Sequence, residues 1–295
     1  MVMKTSLSFL ILFLSISVVA QKKNAVNALN IVVAEATGTK GERSSGNDNF
    51  IVNTRRVFEI KIPDGGANGA AVVYHPKEKL YYAAQAGNAS FPLVIFNEDG
   101  KIVSSTEQTA LIDIRGLWYN PKTKDIGGNG YAQFGWFHYN LDKKGMVEGI
   151  DVFKKGRYQP DDHSPGVLNT EDNEVLFLDG LNIACYTTDG ESKRKTIQLF
   201  IGKKAAGDAG VGSSFESNYN TRSLIYTGKE GSEIGLLNVA QKQVELYSIK
   251  TGYMTKIVKL PLSFKPESFF NFSYSNDTYW VFNKETRNWN GFREQ

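Results

Sequence analysis

The sequence predicts an all-β fold built from repeated four-stranded units. Three observations support this prediction. Short strand-like runs follow one another along the chain, similar turns recur at intervals of 45–55 residues, and convincing helical periodicity is absent. A period of this length is typical of arrays in which each unit buries its faces against its neighbours.

The recurring turns end the first strand of each unit. Each turn is rich in Asn, Pro, Asp and Lys and leads into a second strand. Asn and Asp tolerate left-handed conformations and Pro fixes φ, so these residues suit tight turns between apolar runs. A second hairpin follows, which gives four strands in each unit. We take the turn anchors to be Tyr74, Tyr119, Leu168, Tyr219 and Tyr274.

Four-stranded units of this length indicate a β-propeller, which we expect over residues 50–295. Stacking the sheets radially buries both faces of each sheet and leaves only short edges exposed. In a five-bladed count, we expect the last first-hairpin, residues 268–282, to pair with the early strands in 50–62 and close the ring. The large apolar side chains expected between blades are Trp118, Phe177, Leu178, Trp280 and Phe282.

The number of blades can be counted in two ways. Five first hairpins and five second hairpins are visible, with residues 50–53 and 55–63 forming the second hairpin nearest the start. Dividing the length of the mature chain by the length of the repeat instead gives six blades. Residues 233–239 and 29–35 are additional strand candidates. We expect six blades, with five as the alternative.

The repeat resembles the YWTD and NHL repeat proteins of the β-propeller superfamily over roughly residues 50–290. The resemblance rests on the blade length and on the Tyr-x-Pro or Tyr-Asn turn that begins at Tyr74 and Tyr119. The full Tyr-Trp-Thr-Asp tetrad is missing, and Tyr279–Trp280 is the nearest fragment. The resemblance implies the fold and no single activity, because propellers serve many functions.

The N-terminus predicts an exported chain. Lys4 precedes the apolar run 7–19, and small residues end at Ala20, so residues 1–20 are typical of a signal peptide cut before Gln21. We therefore expect a secreted or periplasmic protein. Residues 21–49 form an N-terminal segment that we expect to be partly flexible, since 37–49 is polar and rich in Gly and Ser. No later run is long enough to span a membrane.

Charge and cysteine content narrow the function. The formal net charge is only +3 and the basic residues are scattered, which argues against a nucleic-acid partner. The single cysteine, Cys185, excludes an internal disulfide, and its apolar neighbours predict a buried structural thiol.

The repeat also predicts where polar side chains converge. Counting back six residues from each turn anchor reaches a polar residue, at the end where each innermost strand begins. Because these ends surround one mouth of the central channel, we expect a ligand site there. The ring consists of Asn68, Asp113, Asp162, Ser213 and Ser268. Its charged neighbours are Arg115, Asp161, His163, Glu216 and Glu267.

The chemistry of this ring leaves several functions open. A wet polar rim is the simplest interpretation. Calcium is the one cofactor that the ring suggests, because Asn68, Asp113, Asp162 and Glu216 could supply oxygen ligands. Zinc is less favoured, since the three histidines form no ligand motif. The aromatic stretch 131–140 predicts blade packing, with sugar stacking as an alternative.

Three functions follow from these observations. The first is an exported binding module for a protein, a glycan or a small ligand. The second is a metal-dependent hydrolase of small lactones or esters, with Glu216, Asp162 and Asn68 as metal ligands. The third, for five blades, is a glycosidase that uses Asp113, Asp162 and Glu216. The binding module is the main hypothesis, because none of the expected catalytic motifs is present.

Overall fold

A computed structural model describes residues 50–63, 68–208 and 215–295 of the chain. The expected signal peptide 1–20, the segment 21–49 and Ser213 lie outside these ranges. Within them, no helix is long and apolar enough to cross a bilayer.

The described residues form nineteen strands, a 3₁₀ turn (Ala132–Phe134) and a helical turn (Phe215–Asn218). The strands are β1 (Ile51–Lys61), β2 (Asn68–His75), β3 (Leu80–Ala86), β4 (Val94–Asn97), β5 (Ile114–Asn120), β6 (Asp125–Gly130), β7 (Trp136–Leu141), β8 (Val147–Lys154), β9 (Val167–Asn169), β10 (Glu174–Asp179), β11 (Asn182–Thr187), β12 (Ser192–Gln198), β13 (Tyr219–Tyr226), β14 (Ile234–Asn238), β15 (Gln243–Tyr247), β16 (Met254–Lys259), β17 (Phe272–Ser275), β18 (Thr278–Asn283) and β19 (Asn288–Glu294).

These strands form five blade-like units, each an antiparallel meander. Unit 1 is β2-β3-β4, unit 2 is β5-β6-β7-β8 and unit 3 is β9-β10-β11-β12. Unit 4 is β13-β14-β15-β16, and unit 5 is β17-β18-β19-β1. In unit 1 the place of the fourth strand is taken by a single bridge between Phe96 and Ile102.

Strand β1 shares unit 5 with the three C-terminal strands, as expected for five blades, but it pairs with β19 and not with the hairpin 268–282. Strand β1 pairs antiparallel with β19 from Thr54 to Lys61, and its first residues pair in parallel with β16. The prediction of a hairpin within residues 50–63 is wrong. This segment is one continuous strand, and a bulge between Arg56 and Phe58 takes up the irregularity.

The innermost strands contact one another in a closed cycle. Strand β2 contacts β5, β5 contacts β9, β9 contacts β13, β13 contacts β17, and β17 contacts β2. These contacts favour five blades among the described residues. The number for the whole chain stays a prediction, because residues 1–49 lie outside the described ranges.

One cluster of buried apolar side chains fills each space between neighbouring units. Leu117 and Trp118 are adjacent in β5 but enter different clusters, because successive side chains of a strand point to opposite faces. Representative pairs are Ile95 with Phe137, Trp118 with Phe177, Leu178 with Leu236, Val244 with Tyr279, and Phe282 with Val72. The five large side chains predicted to pack between blades are all buried there.

Candidate functional site

The polar ring predicted from the repeat lies at the end of the propeller where the innermost strands begin, which we call the N-terminal mouth. Asn68 is the first residue of β2 and Asp113 directly precedes β5. Asp162 and Ser268 lie in the loops that enter β9 and β17. The side chains of these four residues nevertheless have different surroundings.

The fourth position of the ring needs a correction. Tyr219 was aligned with residues that end an innermost strand, but it begins β13, and Tyr226 ends it. Counting back six residues from Tyr226 reaches Asn220, which is fully buried. The polar residue of unit 4 at this mouth is therefore Asn220. Ser213 itself lies outside the described residues.

Asp113 and Arg115 form a buried ion pair at the start of β5. Arg115 donates from Nη1 to Oδ1 of Asp113 at 2.5 Å and from Nη2 to Oδ2 at 3.2 Å. The backbone N–H of Gly87 donates to the same Oδ1 at 2.7 Å. Such a two-bond pair fixes both side chains and neutralises their charges inside the protein.

Aromatic rings surround the Arg115 guanidinium. Its central carbon lies 4.5 Å from the centre of the Tyr131 ring and 5.6 Å from that of Phe270. The His163 ring lies 5.0 Å from the Tyr131 ring and 6.2 Å from the Phe270 ring. These contacts are within the range of cation–π and aromatic attraction: two rings lie against the cation, and the His163 ring packs against both of them.

A second Arg–Asp pair lies beside the first and is more exposed. Arg222 Nη1 donates to Asp161 Oδ2, and the exposed fractions of these side chains are 33% and 37%. The guanidinium of Arg222 lies 5.1 Å from the ring centre of Phe269, which is 36% exposed. Arginine, aspartate and aromatic ring thus recur as a group closer to solvent.

We call the eight residues of these two groups the mouth cluster. Asp113, Arg115 and His163 were predicted from the sequence as ligand-binding residues. Asp161 was named as a charged neighbour of the predicted ring. Reasoning from the repeat missed the other four. The members are Asp113, Arg115, Tyr131, Asp161, His163, Arg222, Phe269 and Phe270.

Buried asparagines anchor the loops that carry the mouth cluster. Asn129 donates to Gln159 Oε1 and to the carbonyl of Ser164, each at 2.8 Å, and so fixes the loop that bears Asp161 and His163. Asn220 donates to the carbonyl of Phe270 at 2.5 Å. The bonds to Ser164 and Phe270 satisfy backbone carbonyls that lie outside any sheet.

The loop before β17 has an unusual backbone. Phe270 and Asn271 both adopt positive φ, at 50° and 60°, a conformation that costs energy for residues with a Cβ. Asn271 compensates by accepting from Gly69 N–H at 2.6 Å and donating to the carbonyl of Phe269 at 2.9 Å. This geometry buries Phe270 while its neighbour Phe269 stays exposed.

The side chains of four described residues of the predicted site are not part of the mouth cluster. Asn68 accepts from Asn271 Nδ2 at 3.2 Å, and Asp162 pairs with Arg157 at 3.3 Å. Ser268 is exposed, and its carbonyl accepts from Thr221 N–H. Glu216 is exposed on the helical turn before β13.

The residues proposed as calcium ligands do not fit a metal site. Asp113 is already paired with Arg115, while Asp162 and Asn68 face different partners. Within residues 50–63, 68–208 and 215–295, no three His, Cys, Asp or Glu side chains come together in a way that could hold a metal ion. The described geometry therefore gives no support to metal-assisted hydrolysis.

The sequence held a partial signal for the missed residues. Tyr131 begins the aromatic stretch 131–140, in which Trp136, Phe137 and Tyr139 are buried as expected of blade packing. Tyr131 is thus the member of this stretch whose side chain belongs to the mouth cluster. Nothing in the local sequence shows that Arg222, Phe269 and Phe270 meet it, because they come from other blades.

The solved structures that resemble this chain identify its fold. The glutaminyl cyclase of Myxococcus xanthus matches with a TM-score of 0.51 at 10% sequence identity, over 84% of this chain and 99% of that one. Together with the closed cycle of sheets, this match is decisive. The chain is a β-propeller.

Other matches are weaker. The gluconolactonase of Xanthomonas campestris has a TM-score of 0.41 at 10% identity, covering 80% of this chain and 79% of that one. A chain of the nidogen/laminin complex has a TM-score of 0.40 at 10% identity, covering 74% and 73%. At such identities the likeness concerns the fold alone. No protein-family model and no curated protein matches the sequence.

Proposed function

We propose that this propeller is a binding protein that holds a neutral glycan at its N-terminal mouth. The observation that supports this most strongly is the pairing of exposed aromatic surface with ion pairs whose charges cancel. Both features lie within the mouth cluster, on loops that buried asparagines hold in place.

The aromatic side chains supply flat apolar surface. Phe269 is exposed, while Tyr131 and His163 are half-buried. The C–H face of a pyranose ring can pack on such a ring and cover it, which removes apolar surface from water. A ring held by neighbours loses little conformational freedom on binding, and this favours affinity.

The ion pairs supply hydrogen bonds without a net charge. Arginine offers only donors and aspartate only acceptors, whereas each sugar hydroxyl is both donor and acceptor. The exposed pair Asp161–Arg222 therefore matches adjacent hydroxyls of one sugar. Because Asp161 cancels the charge of Arg222 and Asp113 that of Arg115, a neutral ligand is favoured over an ion.

The test is a glycan-array screen with the mature chain, residues 21–295, followed by calorimetry on the strongest hit. Replacing Phe269 with Ala removes the most exposed ring of the mouth cluster. We expect Phe269→Ala to weaken binding about tenfold, which corresponds to roughly 1.4 kcal/mol. This is a reasonable value for the loss of one stacking surface.

Phe153→Ala is the matched control. Phe153 is 37% exposed, close to the 36% of Phe269, but it stacks on His138 in the outer strands of unit 2. We expect the control to bind as the unchanged protein does. The proposal fails if no glycan binds at millimolar concentration, or if Phe269→Ala and Phe153→Ala bind equally well.

The proposal includes export from the cytoplasm. Its support is the N-terminal sequence, in which Lys4, the apolar run 7–19 and Ala20 are typical of a cleaved signal. We expect intact-mass measurement on protein from the extracytoplasmic fraction to give a chain that begins at Gln21. A chain retained inside the cell and beginning at Met1 would contradict export.

A further inference from the structure

The innermost strands of all five units enclose a cavity of about 280 Å³ along the propeller axis. Its walls are small or apolar, and they include Ala71, Leu117, Gly166, Leu224 and Phe272. An engineered apolar cavity of about 150 Å³ is enough to bind benzene. The channel can therefore admit a molecule somewhat larger than one aromatic ring.

No charged side chain lines this cavity among the residues that the structure describes. Charged residues nevertheless make up 22% of the whole chain. The polar groups of the lining are hydroxyls and amides, such as those of Ser273 and Asn276. Because an ion would lose its hydration here without gaining an opposite charge, the channel selects against charged ligands.

The channel extends to the end where the innermost strands finish, which we call the C-terminal mouth. Four of the five units place a half-buried tyrosine there, and Leu168 takes the place in unit 3. Burial raises the pKa of Tyr74 to about 12 and raises that of Tyr226. These phenols are therefore neutral at physiological pH. The four tyrosines are Tyr74, Tyr119, Tyr226 and Tyr274.

Two of these tyrosines use their hydroxyl protons in bonds to carboxylates of nearby turns. Tyr74 donates its own proton to Glu98 at 2.6 Å, and Tyr274 donates to Asp277 at 3.0 Å. Their oxygens keep lone pairs for an incoming N–H or O–H. A ligand that carries one such donor beside an apolar body would match both the mouth and the walls.

Two neighbouring innermost strands approach closely along the channel wall. Gly116 in β5 and Gly166 before β9 approach so closely that a Cβ on Gly116 would lie 2.4 Å from the Gly166 carbonyl oxygen. Beyond them, Arg115 and Phe270 are buried in the mouth cluster. The tyrosines line the cavity at the C-terminal mouth, so we place the entry of a ligand there.

We propose that this pocket is a second binding site, for a small neutral molecule with an aromatic or compact apolar body and one N–H or O–H donor. The inference does not rest on the glycan proposal, because the two sites lie at opposite ends of the innermost strands and share no residue. It assigns the channel a ligand class that differs from that of the mouth cluster.

The experiment uses methyl-labelled mature chain and follows the Val and Leu methyl resonances by NMR while indole is added. Indole is neutral and aromatic and carries one N–H donor. We expect saturable shifts at Val73, Leu117 and Leu224, which line the pocket. Leu262, which is 83% exposed, serves as the internal control and should not shift. Tryptophan, with the same ring and two charges, should leave all of these signals unchanged.

A substitution that fills the pocket tests whether indole binds there. Val73→Phe places a larger side chain on the channel wall, and we expect it to weaken indole binding at least about tenfold. Ile102→Phe adds the same ring at an exposed position outside the channel and should bind indole as before. If Val73→Phe does not fold, Pro76→Trp at the exposed mouth takes its place. Absence of shifts with indole, equal shifts at Leu262, or equal binding of tryptophan would overturn the proposal.

Discussion

Gly116 stands where the second and third units come closest, and its lack of a side chain allows the approach. A Cβ there would lie 2.4 Å from the carbonyl oxygen of Gly166 and 2.5 Å from its nitrogen. Both are backbone atoms, so neither can move without displacing a strand. We expect Gly116→Ala to lower the free energy of unfolding by about 1–3 kcal/mol, as measured by urea denaturation.

Gly149→Ala is the control for this change. Gly149 lies in the outer strand β8, and the nearest atom to a Cβ there is Asn140 Nδ2, at 3.6 Å. We expect its unfolding curve to match that of the unchanged protein within about 0.5 kcal/mol. Equal curves for the two alanine variants would mean that the innermost strands are not packed backbone to backbone.

At the level of single residues, the sequence predicted where polar side chains lie better than it predicted which side chains they pair with. The repeat correctly indicated that Asp113 and Arg115 lie where innermost strands begin. It could not show that they neutralise each other, since that depends on side-chain conformation and burial. The calcium hypothesis followed from counting oxygen atoms without knowing that one carboxylate already had an arginine.

At the scale of strands and loops, the error in unit 4 shows how alignment by a single residue type can fail. Tyrosines stand at both ends of β13, and the alignment took Tyr219 as the turn anchor instead of Tyr226. The turn that follows Tyr226 contains Gly228 and Gly231, both at positive φ. Those glycines were the better signal, because they mark the turn by its backbone requirement.

The loops that enter the innermost strands were the least predictable elements. Asn220 holds the loop before β17 through the carbonyl of Phe270, although 50 residues separate the two. Contacts of this kind cross from one unit to the next, so the periodicity within a unit carries no information about them. The strands follow local alternation of side chains, whereas the mouth cluster follows from how the ring assembles.

At the scale of the whole molecule, five apolar clusters between five units account for the closed ring. Each cluster needs side chains from two units, so no unit can bury its faces alone. Unit 5 combines β1 with the three C-terminal strands, so the ring closes only when distant parts of the described chain meet. The sequence predicted this closure, because the early strands lacked a partner within their own unit.

A half-buried carboxylate links units 4 and 5 close to the point of closure. Glu294 on β19 accepts from Lys256 at 2.5 Å, from Lys229 at 3.0 Å and from Tyr279 at 2.8 Å. Burial alone would raise its pKa, but these hydrogen bonds prevail and lower the pKa of Glu294 to about 2, from an ordinary value of 4.5. The ionised form is therefore stabilised in the folded protein.

The pH dependence of stability follows with a definite sign. Because the pKa of Glu294 is lower in the folded chain than in the unfolded chain, its contribution is complete above about pH 4.5 and is lost as the pH falls towards 2. We expect Glu294→Gln to reduce the loss of stability over that range by about 2 kcal/mol, after allowance for screening of the lysines. Thermal melting at a series of pH values measures this.

Glu285→Gln is the matched control. Glu285 and its partner Lys265 are both 74% exposed and lie 3.8 Å apart, so water and salt screen the pair. The control should keep the acid sensitivity of the unchanged protein. If both glutamine variants show the same pH dependence, Glu294 does not secure the contact between units 4 and 5.

A crystal structure of the protein with the strongest array hit bound would test whether the mouth cluster binds a neutral glycan. We predict a sugar ring packed on Phe269 or Tyr131, with hydroxyls within hydrogen-bonding distance of Asp161 and Arg222. A sugar located on an outer strand, in the channel, or at the C-terminal mouth would contradict the claim.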